Sequence, residues 1–113
     1  MKANELMIGD WVYLTDPDTN RNEIIKVSYT DLSNAIAKYL EPIPLTPEIL
    51  EKNRWKNEGF FSSLQTGDYK ILTDGNHVAV IHKDHADIDI PIKFVHELQH
   101  VLKLCRIEKE ITL

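Results

Sequence analysis

The chain has 113 residues, 42% of them apolar and 27% charged, and carries a formal net charge of -5 at pH 7. That length suits a single domain with one core, and the balance of apolar and charged residues is too even for a disordered chain. A negative field with no run of Lys and Arg set against it argues against nucleic acid as a direct partner.

The start, "MKANELMIGDW", lacks the apolar core of a signal peptide, and no window approaches the length of a membrane span. The expected location is the cytoplasm, with no membrane contact. In chain order, "ELMIGDWVYLTD" is followed by the turn-rich "PDTNRN" and by "EIIKVSYT", where Ile25, Val27 and Tyr29 alternate with Lys26 and Ser28. This pattern predicts a β-hairpin. Gly9-Asp10 before Trp11, Val12, Tyr13 and Leu14 is similar to the opening strand of small SH3-like barrels, where a glycine lets the chain bend. From Asp31 to Leu40 two periods compete. Leu32, Ala35, Ile36, Tyr39 and Leu40 suit a helix, while Ile36, Lys38 and Leu40 against Ala37 and Tyr39 suit a strand, so both readings stand. In "EPIPLTPEILEKN" the two X-Pro steps favour extended backbone at Glu41 and Ile43; Thr46 then caps a short helix with Pro47 in its first turn. That helix should end between Asn53 and Lys56.

Three strands are expected next, in "GFFSSLQ", "DYKILTD" and "HVAVIHK", joined at Thr66-Gly67-Asp68 and at Asp74-Gly75. They read as a three-stranded meander. Trp55, Phe60 and Phe61 should pack the short helix on this sheet, and any exposed part of that aromatic cluster becomes the best candidate for a protein contact. Ser62-Ser63 reads as ordinary sheet surface rather than a nucleophile elbow. Asp87 and Asp89 alternate with Ile88 and Ile90 as in an edge strand with one wet face. After Pro91 the final helix, "IKFVHELQHVLKLCRI", should be amphipathic and cover the sheet, leaving "KEITL" as a short tail. Cys105 is the lone cysteine, so it forms no internal disulfide, and its place in the apolar stripe predicts a buried, unreactive thiol. The glycines, at 9, 59, 67 and 75, are too scattered for a phosphate-binding loop.

The sharpest local signal is "HELQH", residues 96 to 100. Residues four apart share one side of a helix, so His96 and His100 could converge on a zinc ion while Glu97 acts as general base on a metal-bound water. A third ligand is hard to find downstream, since Glu108 and Glu110 lie two to three turns on. Upstream, His77, His82, Asp84, His85 and Asp87 cluster in "HVAVIHKDHAD". The helical wheel works against the site. Phe94, Val95, Leu98, Val101, Leu102 and Cys105 share an arc centred on Leu98, and His96 and His100 fall opposite it with Gln99, Lys93 and Lys103. Both imidazoles are therefore expected on the solvated face, beside two cations that oppose Zn²⁺.

"EPIPLTPEIL" and "IPIKFVHELQHVL", with the opening "ANELMIGDWVY", resemble the recurring blocks of a group of short uncharacterised proteins of Bacteroidales and their phages and mobile elements. In that group the last helix reads V-H-x-L-Q followed by a residue other than His. Val95, His96, Leu98 and Gln99 match, while Glu97 and His100 depart. The resemblance implies an origin and a fold, and carries no activity or cofactor with it.

The resulting expectation is one α+β domain over residues 1–113: an N-terminal β-hairpin, a short helix after the Pro-rich segment, a β-meander and a C-terminal amphipathic helix. Its function is expected to be that of a non-enzymatic accessory or interaction module acting through a protein partner or its own oligomer. No residue is assigned as catalytic, cofactor-binding or metal-binding. The alternative is a zinc-dependent hydrolase built on His96, Glu97 and His100.

Overall fold

The computed structural model describes residues 1–19, 21–83 and 88–113. The fold is α+β, with two antiparallel sheets of three and five strands. Backbone contacts divide the chain into two units, Met1–Pro44 and Leu45–Leu113.

In the first unit the expected hairpin is β1 (Trp11–Thr15) and β2 (Asn22–Lys26), with Trp11 opposite Lys26 and Thr15 opposite Asn22. Gly9, at φ +94°, turns the chain into β1, and the Asp10 carboxylate accepts the Met7 N–H at 2.8 Å. A third strand, β3 (Leu40–Pro42), joins the other side of β1, so the sheet is open with the order β2-β1-β3. Residues 31–40 resolve into neither simple alternative. A 3-10 turn (Tyr29–Leu32), one turn of helix α1 (Asn34–Ala37) and then β3 share the segment. Each competing period holds over only part of it. Leu6, Val12, Val27, Ala37 and Leu40 form this unit's core.

In the second unit Thr46 caps helix α2 (Pro47–Lys52), its hydroxyl accepting the Ile49 N–H at 3.3 Å. The meander is larger than the three strands expected. β4 (Lys56–Asn57), β5 (Ser62–Thr66), β6 (Tyr69–Thr73), β7 (His77–His82) and β8 (Ile88–Pro91) pair in sequence order. β4 is too short to show any period, and Ile88, Asp89 and Ile90 lie in β8 at the sheet edge, as expected. Register places Leu64, Ile71, Val80 and Ile88 in one row and Ser62, Thr73, Val78 and Ile90 in the next. Ile71, Thr73, Val78 and Val80 of this face are buried. Ser62 and Ser63 are buried too, which corrects their reading as surface.

Helix α3 (Val95–Leu104) starts later than the sequence suggested, because Pro91 ends β8 and Phe94 is the N-cap. Its C-terminal residues line a recess with Tyr69, Val80 and Ile88, so the helix end lies over the buried face of β6, β7 and β8.

Both longer helices end in the same way without a glycine. Arg54 (φ +68°) and Arg106 (φ +56°) take the left-handed position after the helix. In α2 the Arg54 N–H donates to the Glu51 carbonyl and the Trp55 N–H to the Leu50 carbonyl; in α3 Arg106 donates to Lys103 and Ile107 to Leu102. These are Schellman closures, each followed by a buried apolar residue, Trp55 or Ile107. A β-carbon is strained in that conformation, so Arg54→Gly is expected to raise stability to urea by up to about 1 kcal/mol.

The β6–β7 turn is held by side chains. The Asp74 carboxylate accepts the Asn76 and His77 N–H groups, both at 2.8 Å, and the Thr73 hydroxyl donates to the His77 carbonyl at 2.7 Å. Those two backbone donors hold the Asp74 pKa below its ordinary value. A depressed carboxylate contributes stability that is present above the unfolded pKa and lost as pH falls through the folded one. The stability gap between the wild type and Asp74→Asn is therefore expected to be constant at neutral pH and to close below about pH 4. Asp74 is exposed, so the gap should stay under about 1 kcal/mol in urea titrations at each pH.

Candidate functional site

The five motif residues occupy the first half of α3, and the chemistry of that helix start decides what they do. Phe94 has no side chain able to cap the helix. Glu97 takes that role: one carboxylate oxygen, Oε1, accepts the Phe94 N–H at 3.0 Å and the Lys93 N–H at 2.9 Å. This is the reach-back half of a capping box, placed where the helix dipole is positive and a negative charge is stabilised. The group that a zinc peptidase would need as its base is here bound to two backbone donors.

His96 is buried, at 6% exposure, which corrects the expectation that both imidazoles face solvent. A wheel assigns sides by angle along the helix and takes no account of how neighbouring rings cover a side chain. The Phe94 ring stacks on His96 with centroids 6.0 Å apart and planes at 17°. His96 also meets the half-buried His100, with centroids 5.4 Å apart and rings nearly perpendicular at 81°. The two imidazoles are thus neighbours, as the spacing requires. Among the described residues, however, no three His, Cys, Asp or Glu side chains are grouped to hold a metal ion. His82 makes an edge contact with Tyr69 at 4.7 Å, and His77 is exposed at the start of β7. The proposed upstream donors Asp84, His85 and Asp87 lie outside the described residues.

Cys105 is half-buried rather than buried and is the C-cap of α3. Burial pushes its thiol pKa up, so it is protonated at neutral pH and is a poor nucleophile.

The aromatic cluster divides. Trp55 is buried at 3%, whereas Phe60 is 97% exposed and Phe61 39%. The expectation that all three pack the helix on the sheet therefore fails for Phe60, for a local reason. Gly59, at φ +99°, and Phe60 are the two central residues of the β4–β5 turn, so Phe60 sits at the hairpin tip beyond the paired residues. The turn is firmly tied. The Glu58 N–H donates to the Phe61 carbonyl at 2.8 Å, the Gly59 N–H to Asn57 Oδ1 at 2.8 Å, and Asn57 Nδ2 to the Glu51 carboxylate at 2.9 Å. Ser63 Oγ donates to Glu58 at 3.3 Å, and Lys56 Nζ lies 3.6 Å from the same oxygen. A fully solvated phenyl ring thus sits on a braced turn. Gly59 directly before two aromatics was the signal for it, and it is legible only once the hairpin register is known.

Comparison of the chain with family models, with curated proteins and with solved structures finds no match.

Proposed function

We propose that the chain is a non-enzymatic protein-interaction module, of phage or mobile-element origin, whose contact is anchored by Phe60. The origin is supported by the likeness of "EPIPLTPEIL" and "IPIKFVHELQHVL" to the blocks of that group. The contact rests on one observation: Phe60 is 97% exposed on a turn held by cross-hydrogen bonds. An exposed aromatic ring on a backbone already held in place is the kind of group that dominates interface energies when it enters a partner's pocket. The occupant it fits is a protein with an apolar cavity, because a single projecting ring is convex.

A photo-crosslinking amino acid at position 60, and at Lys70 as control, identifies the partner in host cells. The purified partner should then bind Phe60→Ala at least about 30-fold more weakly than the wild type, a loss of about 2 kcal/mol, with the melting temperature unchanged. Equal binding by the variant, or cross-links to a second copy alone, would overturn this reading. The competing hydrolase reading has the His96–His100 proximity in its favour and the engaged Glu97 carboxylate against it.

A further inference from the structure

We propose that the recess at the end of α3 is a binding site for a small apolar carboxylate, a medium-chain aliphatic acid by chemical class. The recess has a volume of about 330 Å³, within the range of small-molecule sites. Tyr69, Val80, His82 and Ile88 line it from the sheet, and Leu104, Cys105 and Arg106 from the end of α3. Two of the apolar side chains are left facing water, Leu104 at 79% exposure and Ile88 at 44%. Solvated aliphatic surface around a concavity is covered favourably by an aliphatic chain.

Charge selects the head group. Among the described residues, Arg106 is the one formal cation of the lining, the His82 imidazole is its other basic group, and no carboxylate is part of it. The ion pairs Lys56–Glu58 and Lys83–Asp68 do not involve the Arg106 guanidinium, which is exposed at the rim of the recess. Its planar fork matches a carboxylate with two parallel N–H···O bonds. The left-handed backbone of Arg106, locked by the α3 closure, fixes where that fork begins. An ammonium head group would meet repulsion at the same place, and a neutral head group would lose the charge-assisted bonds. No covalent step is involved, since the Cys105 thiol stays protonated. The site is independent of the Phe60 contact.

The test is an NMR titration with octanoate, octan-1-ol and octylamine, each below its aggregation concentration. Saturable octanoate binding is expected, with shifts at Tyr69, Val80, Ile88 and Leu104. Octan-1-ol and octylamine should bind at least about tenfold more weakly, and Arg106→Gln should lose a similar factor for octanoate. Arg106→Lys should fall between. Arg54→Gln, which changes the other left-handed arginine away from this recess, should bind octanoate like the wild type. Absence of saturable binding, equal affinity of Arg106→Gln, or shifts confined to other residues would overturn the proposal.

Discussion

Leu98→Ala is expected to lower stability to urea by about 3 kcal/mol, whereas His100→Ala, two residues on, should lower it by less than about 1 kcal/mol. Leu98 is the central residue of the H-E-x-x-H pattern and is fully buried at 0% exposure. It lies in the arc with Val95, Val101 and Leu102, which are also buried. Truncation removes the transfer free energy of three carbons and leaves a cavity that the sheet face cannot close. His100 is half-buried and its ring meets His96 edge-on, so its loss opens little void. The contrast measures the direction in which α3 turns its apolar side. Equal losses at the two positions would contradict the packing described for this helix.

Asn53→Ala is expected to lower stability by about 2 kcal/mol, a large effect for a residue in a polar stretch. The Asn53 side chain is 5% exposed and spans 59 positions of sequence. Its Nδ2 donates to the carbonyls of Ile49 and Thr112, both at 2.8 Å. Its Oδ1 accepts the Thr112 N–H at 2.7 Å and the Thr112 hydroxyl at 3.3 Å. One amide thus acts like a strand partner for the last residues, where Ile111 is buried at 4%. Asn53→Asp turns a carboxylate oxygen toward the Ile49 and Thr112 carbonyls in a buried site, so it should be at least as destabilising as Ala. Hydrogen exchange should show the Thr112 amide losing protection in Asn53→Ala before the β6 and β7 amides do. A stability change under about 0.5 kcal/mol would show that the tail is held by burial alone.

The two features that matter most here differ in how far they could be read from the sequence. Helix α2 was legible because its signals are local: Thr46, Pro47 and Glu48 state a start in three consecutive residues. The β5–β6 and β6–β7 turns were legible for the same reason, since Gly67 and Gly75 take the positive φ such turns require. The helix ends were not. Their left-handed residues are arginines, and only the hydrogen bonds of Trp55 and Ile107 reveal the closures. The tail's attachment rests on a contact 59 residues long, which no window can see. The motif itself misled in one direction. Its spacing correctly placed two imidazoles together, but the identity of Glu97 has a second explanation, capping, that follows from an N-cap residue unable to cap for itself. Likewise the wheel gave Leu98 its inward position and misplaced His96, because an angle does not show that the Phe94 ring stacks on that imidazole.

The central claim is that "HELQH" is the start of a helix whose carboxylate, Glu97, is engaged as its cap. Purification without a His-tag, metal analysis and thermal melting with and without EDTA test it directly. The account predicts substoichiometric zinc and a melting temperature that neither EDTA nor added zinc moves by more than about 1 °C, since a ligand that does not bind the native state cannot stabilise it. One zinc per chain, with a melt that the chelator lowers and zinc restores, would contradict it.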